Sequence, residues 1–206
     1  MKKIRIMLVD DHAIVRMGLA SILGTNKDLE IVGEADDGAA AIRKAQQLRP
    51  DVILMDMMLS EMDGAAATAE IHRQDPSCKI LILTTYGTSD GIAHALEAGA
   101  SGALLKTVEY PELVAAIHAV AEGQRVIAPE ISRQLRKHPP IPDLTDRQRE
   151  ILLLVAQGFM DADIARKIGL TANSVRDHMT LIFNKLGAAN RAEAVAIALR
   201  KHLLKI

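Results

Sequence analysis

The sequence predicts an α/β domain with a doubly wound, five-stranded parallel sheet, followed by an all-α domain of four helices. Three observations support this prediction. Short apolar runs alternate with helix-like segments over residues 1–125. A basic segment rich in proline follows at residues 126–142 and predicts a linker, within which a short helix can form around Pro129–Leu135. Residues 143–206 carry repeated start and stop signals for helices.

The strands of the first domain are predicted from apolar runs that suit burial on both faces of a sheet. The runs lie at Ile4–Val9, Leu29–Ala35, Val52–Met55, Ile80–Leu83 and Ala103–Leu105. The helix-like segments lie at Ala13–Leu23, Gly38–Leu48, Gly64–Gln74, Asp90–Ala98 and Tyr110–Glu122. Such alternation favours right-handed crossovers, and ligands of the resulting parallel sheets bind beyond the carboxyl ends of the strands.

The helices of the second domain are predicted from their end signals. Thr145 and Gln148 have the spacing of a capping box, and Gly169 marks a tight turn. The predicted helices lie at about 145–157, 161–168, 171–186 and 190–202. Two helices joined by a short turn that contains glycine are typical of a helix-turn-helix.

Composition and charge limit the location and the partners. The one cysteine, Cys78, excludes an internal disulfide and favours a reducing compartment. The apolar run near the N-terminus is too short for a signal peptide or a membrane span, so we expect a cytoplasmic protein without a membrane partner. Net charge is −6 over residues 1–125 and +3 over residues 143–206, which predicts different partners for the two domains.

Reactive side chains follow four of the predicted strands: Asp10 and Asp11, Asp56, Thr84, and Lys106. All these strands end at the same edge of a parallel sheet, so the side chains are expected to converge there. Mg²⁺ prefers carboxylate ligands and neutralises a phosphoryl group during transfer. The pattern therefore predicts a Mg²⁺ site at which Asp56 is a nucleophile that forms an aspartyl phosphate. Lys106 and Thr84 are expected to bind the phosphoryl oxygens.

The third helix of the second domain has two distinct faces. One apolar stripe predicts a core face and contains Val175, Met179, Ile182 and Leu186. The opposite face predicts a surface for the DNA major groove and contains Asn173, Arg176, Asp177, Thr180 and Asn184. Periodicity alone leaves open the alternative that this second face is an ordinary solvated surface.

Residues 1–125 resemble a response-regulator receiver domain, which has a flavodoxin-like fold. The resemblance lies in VDDH at residues 9–12, Asp56 followed by EMDG, Leu83–Thr84, and GASGALLK at Gly99–Lys106. Residues 143–206 resemble the DNA-binding domain of NarL/LuxR-type regulators. The matching stretches are LTDRQREILLLVAQG, DIARKIGLTANSVRDHMTLIFNKLG and NRAEAV.

The resemblance implies that a cognate sensor histidine kinase phosphorylates Asp56, and that phosphorylation controls homodimerisation and binding to a double-stranded DNA operator. In this family Asp11 and Asp56 bind Mg²⁺ with help from Asp10, and the residue at the position of Met58 adds a backbone carbonyl. The resemblance further implies that Thr84 and Lys106 respond to the phosphoryl group.

The resemblance also assigns DNA contacts. Arg176, Asp177 and Thr180 match positions that contact bases, although an acid at the middle position is unusual in the family. Four basic residues are better suited to phosphates: Arg166, Lys167, Lys185 and Arg191.

The sequence departs from the family pattern at three positions. Ser60 replaces a proline, Ala103 replaces an aromatic switch residue, and Thr107 replaces a proline after the lysine. Without the aromatic side chain, we expect a smaller phosphorylation-driven change on the face formed by the fourth helix and the fifth strand. Two roles are open for the nearby Tyr86: to substitute for this aromatic residue, or to cover Asp56 from water.

Two other functions compete with a phosphorylation-controlled transcription factor. A phosphohydrolase of the aspartyl-phosphate type places its nucleophile after the first strand, whereas the best nucleophile here follows the third. A protein-binding adaptor would show no sequence-selective DNA binding. Because the position of the nucleophile does not fit a phosphohydrolase, we expect that the protein is not an enzyme that turns over a substrate.

Overall fold

The structure is a computed structural model that describes residues 3–60, 62–85, 89–137, 144–200 and 203–204. Glu61 and Tyr86 lie outside these described residues. The chain divides into two compact units, Met1–Pro139 and Pro140–Ile206.

The first unit contains a parallel sheet in the order β2-β1-β3-β4-β5-β6. Its strands are β1 (Ile4–Val9), β2 (Leu29–Ala35), β3 (Val52–Asp56), β4 (Lys79–Thr84), β5 (Gly102–Leu105) and β6 (Val126–Ile127). Its helices are α1 (Ala13–Gly24), α2 (Gly38–Leu48), α3 (Gly64–Gln74), α4 (Ser89–Glu97), α5 (Tyr110–Ala121) and α6 (Pro129–Lys137). The α/β prediction is confirmed.

Helices cover both faces of the sheet because successive strand residues point to opposite faces. Within β3, Ile53 and Met55 pack into a core with α2, α3, α4 and α6. Val52 and Leu54 pack into a second core with α1 and α5. This explains why β3 reads as a continuous apolar run: both of its faces are buried.

The sheet has six strands rather than the predicted five, and residues 126–137 of the predicted linker segment contain a strand and a helix. β6 pairs in parallel with β5, and Ile131 of α6 is fully buried in the core that also contains α4 residues. The basic residues of α6 lie on its exposed side. Their high proportion in this segment made its composition similar to that of a solvated linker. Residues 138–142 lie outside the described residues.

The second unit is helical, as predicted. Its described helices are α7 (Asp146–Ala156), α8 (Asp161–Ile168), α9 (Ala172–Leu186) and α10 (Arg191–Arg200). The capping box of Thr145 and Gln148 is present, and Gly169 ends α8 with a φ of 68° in the left-handed region. The predicted apolar stripe of α9 lies in the core of this unit.

No helix among the described residues is both long and apolar enough to cross a bilayer.

The position of Ile131 generates a stability prediction. Ile131→Ala should lower the free energy of unfolding of the first unit by about 2–5 kcal/mol, because it leaves a cavity in a packed core. Amide exchange at increasing urea, resolved by peptide, measures this unit separately. Arg136→Ala, on the exposed side of the same helix, is the matched control. Equal stability of the two variants would show that α6 is not part of the core.

Candidate functional site

The register of the sheet brings four predicted site residues together. Val9 of β1 pairs with Met55 of β3, so the residues that follow them, Asp10 and Asp56, are neighbours at the carboxyl edge of the sheet. Lys106 directly follows β5, and its backbone N–H donates to the carbonyl of Thr84 at 2.7 Å. The sheet itself therefore places two acids, a hydroxyl and an amine at one edge.

Lys106 joins the two buried acids of this edge. Asp10 and Asp56 are each 2% exposed. The Nζ of Lys106 donates to Asp10 Oδ2 at 2.6 Å and to Asp56 Oδ2 at 2.7 Å. Both carboxylates share one cation, which offsets part of the free-energy cost of burying them.

The surroundings change the pKa of both partners. Burial raises the pKa of Asp56 above its ordinary value, and the hydrogen bond from Lys106 offsets part of that rise. Burial alone would lower the pKa of Lys106, but its hydrogen bonds to Asp10 and Asp56 outweigh that effect and raise it. Lys106 therefore remains a cation beside Asp56 at neutral pH.

The loop after β3 approaches Asp56 closely. The backbone N–H of Met58 donates to Asp56 Oδ1 at 3.3 Å. Gly64 follows this loop at the start of α3, where an added Cβ would lie 2.2 Å from the backbone oxygen of Asp56. A glycine is therefore required for α3 to begin so close to the acceptor residue. The side chain of Met58 is exposed, and a metal-binding role for its carbonyl stays a prediction.

The acids at this edge are arranged in a way that fits a divalent cation. One potential ligand atom from each of four side chains lies within 4.8 Å of the others, and these side chains are Asp10, Asp11, His12 and Asp56. Carboxylate oxygens of this kind are the ligands that Mg²⁺ prefers. The Oγ1 atom of Thr84 is buried and has no hydrogen-bond partner among the described residues, so this hydroxyl can donate to an oxygen of a bound ligand.

His12 is a member of this cluster that the sequence analysis missed. Its Nδ1 lies 2.6 Å from Asp11 Oδ1, and its backbone N–H donates to Asp10 Oδ1 at 2.8 Å. Its position directly after the two aspartates, at the end of β1, was the available signal.

The departures from the family pattern have simple structural forms. Ser60 is exposed, and Ala103 is fully buried within β5. No cis peptide bond occurs among the described residues, so the bond between Lys106 and Thr107 is trans. The expected smaller response to phosphorylation at Ala103 stays a prediction.

In the second unit, the predicted groove face of α9 is exposed. The exposed residues are Asn173, Arg176, Asp177, Thr180 and Asn184. The hydroxyl of Thr180 donates to the carbonyl of Arg176 at 3.0 Å. Leu181, which the sequence analysis missed, is also exposed on this helix. Its position outside the apolar stripe was the signal.

The four basic residues predicted to bind phosphates all contact other parts of the second unit. Lys185 donates to Gln148 Oε1 at 2.9 Å, and Arg166 pairs with Asp163. The Nζ of Lys167 lies 4.5 Å from the centre of the Phe159 ring. Arg191 donates to Asp161 at 2.6 Å. Contacts of these residues with DNA stay predictions.

Comparison with known families assigns both units. Residues 6–118 match the response regulator receiver domain, and residues 142–198 match the bacterial regulatory proteins of the luxR family. The first match covers more than half of the chain and includes every predicted residue of the acidic edge.

Individual relatives share both domains. The response regulator protein VraR of Staphylococcus aureus (strain NCTC 8325 / PS 47) is 36% identical over 98% of this chain and 99% of its own. A crystal structure of ChrA, a response regulator in a heme-sensing two-component system, is 36% identical, covers 99% of this chain and 100% of that one, and has a TM-score of 0.59. A structure of two RcsB dimers bound to two parallel DNAs is 26% identical, covers 97% and 99%, and has a TM-score of 0.65.

A receiver unit with a buried aspartate at its carboxyl edge thus precedes a helix-turn-helix unit, and relatives with both units align along nearly the whole chain. The chain belongs to the two-component response regulators that join a receiver domain to a LuxR-type DNA-binding domain and regulate transcription.

Proposed function

We propose that Asp56 accepts a phosphoryl group from a cognate sensor histidine kinase in a Mg²⁺-dependent reaction. Phosphorylation then controls homodimerisation and sequence-specific binding to double-stranded operator DNA in the cytoplasm. The main support is the buried carboxylate of Asp56 at the end of β3, which shares the Lys106 cation with Asp10.

Each residue of the edge has a chemical task in this reaction. A carboxylate oxygen of Asp56 attacks phosphorus as the bond to the histidine nitrogen of the kinase breaks, and the imidazole leaves. Asp11 and Asp56 would hold Mg²⁺, with help from Asp10 and the backbone carbonyl of Met58. When bound, Mg²⁺ offsets the negative charge of the phosphoryl group. Lys106 can pair with one phosphoryl oxygen, and the Thr84 hydroxyl can donate to another.

The exposed face of α9 is proposed to enter the major groove. Arg176, Asp177 and Thr180 would contact bases, because arginine can pair with guanine and aspartate can accept from cytosine. Asn173 and Asn184 lie at the two ends of the same face. The basic residues Arg166, Lys167, Lys185 and Arg191 would contact phosphates.

Homodimerisation follows from the small size of this face. One domain presents few groove residues, whereas two domains on a two-half-site operator add their contacts. The RcsB dimers on DNA are a related assembly. We propose that the protein does not turn over a substrate. Sustained hydrolysis of small phosphate esters would instead favour a phosphohydrolase. Loss of all sequence-selective DNA binding would favour a protein-binding adaptor.

Phosphorylation should occur on Asp56 and require a divalent cation. Intact-mass analysis after treatment with a small phosphodonor and Mg²⁺ should show one added phosphoryl group in the wild type and none in Asp56→Asn. Asp75→Asn removes a half-buried carboxylate at the end of α3, before β4 and so at the opposite edge of the sheet, and should label like the wild type. Full labelling of Asp56→Asn, or labelling that a chelator leaves unchanged, would refute the assignment.

Arg176 should affect sequence discrimination more than Lys185. A bidentate contact with a base is worth roughly 1–3 kcal/mol of discrimination, whereas a phosphate contact weakens binding to all DNA similarly. Arg176→Ala and Lys185→Ala should be titrated on selected and scrambled DNA, with circular dichroism as a check of folding. Equal losses on both DNAs for Arg176→Ala would exclude a reading role.

A further inference from the structure

Asp161 lies between two arginines from different helices of the second unit. It is the first residue of α8. Its Oδ1 accepts from Nη1 of Arg191, at the start of α10, at 2.6 Å. Its Oδ2 lies 3.9 Å from Nε of Arg176, on α9. One carboxylate thus contacts α10 and the proposed reading residue of α9.

The contact with Arg191 fixes the position of this carboxylate. A second guanidinium nitrogen of Arg191, Nη2, donates to the backbone carbonyl of Phe159 at 2.5 Å. Arg191 is therefore held by two acceptors, and both belong to the segment that begins α8. Asp161 is bound through Oδ1 and its side chain is only 26% exposed, which restricts its rotamers, and Oδ2 is the oxygen that contacts Arg176.

The contact with Asp161 involves one side of the Arg176 guanidinium and so determines which of its nitrogens can bind other acceptors. Its side chain is 65% exposed, so without a partner it would sample many rotamers. The Nε atom is the guanidinium nitrogen that pairs with the carboxylate, at 3.9 Å, which is an ion-pair distance longer than a hydrogen bond. The two terminal nitrogens remain available to other acceptors. Two parallel N–H groups are the donors that a guanine edge requires.

We propose that Asp161 is a specificity-determining positioning residue that acts through Arg176. Its carboxylate attracts the guanidinium on the Nε side, so that the terminal nitrogens are presented to a base, and its negative charge weakens the attraction of Arg176 for phosphates of any DNA. Phosphate contacts strengthen non-specific binding, so both effects increase the ratio of specific to non-specific affinity. This inference rests on the proposed base-reading role of Arg176.

The test compares two acid-to-amide variants of α8 in the full-length protein. The probes are a DNA that the wild type selects from a random-sequence pool and a scrambled version of it. Asp161→Asn should lower the ratio of the two affinities by about tenfold, within the range that one bidentate contact provides. Asp163→Asn is the matched control: it removes the same charge from the same helix, but its partner is Arg166. It should change both affinities together and leave the ratio within twofold.

A double-variant cycle separates positioning from a general structural effect. In the Arg176→Ala background, Asp161→Asn should cause no further loss of discrimination, because its effect passes through Arg176. An additive loss, or equal ratios for Asp161→Asn and Asp163→Asn, would overturn the inference. A wild type that selects no sequence from the pool would instead overturn the proposed DNA-reading function.

A measurement on the wild type covers the case in which Asp161→Asn fails to fold. The Nε–Hε group of Arg176 should be ordered in the DNA-free protein, with a ¹⁵N heteronuclear NOE close to that of Arg191. Exposed Arg136 provides the mobile reference. An Arg176 signal as mobile as that of Arg136 would show that Asp161 does not hold this side chain, and the inference would be wrong.

Discussion

The ammonium of Lys106, shared by the carboxylates of Asp10 and Asp56, is the interaction on which the functional edge depends. Two acids this deeply buried would cost several kcal/mol each without a partner. The amine reaches both at hydrogen-bond distance only because β1, β3 and β5 end at the same level of the sheet. The geometry of the site therefore depends on the strand register. A shift in the register of any of these strands would separate the Lys106 ammonium from the carboxylates of Asp10 and Asp56.

The same arrangement provides the carboxyl edge of the sheet with groups that can bind a ligand. Burial raises the pKa of Asp56, Lys106 opposes that rise, and the buried Thr84 hydroxyl has no partner among the described residues. A phosphoryl group and a divalent cation, bound together, would provide hydrogen-bond and ionic partners for these groups. In the second unit a carboxylate also serves two cations, because Asp161 contacts Arg176 and Arg191. Each unit thus contains one charged side chain that pairs with two side chains of opposite charge.

Local patterns predicted most of the fold and much of the site. Apolar runs followed by Asp10, Asp56, Thr84 and Lys106 are visible along the chain, and a parallel sheet brings such strand ends together. The burial of Ile131 depends on packing with α4, so composition placed α6 within a linker segment and could not show that it packs into the core. Other contacts join residues far apart in sequence, such as Lys185 with Gln148 and Arg191 with Asp161, and periodicity within one helix carries no signal for them.

Control of DNA binding by Asp56 is tested most directly by measuring operator affinity with and without a small phosphodonor and Mg²⁺. The wild type should bind more tightly when phosphorylated, by a factor between about five and a hundred, which is the usual range of coupling between sites. Asp56→Asn should show no gain. An equal gain in Asp56→Asn, or no gain in a fully phosphorylated wild type, would contradict control through this carboxylate.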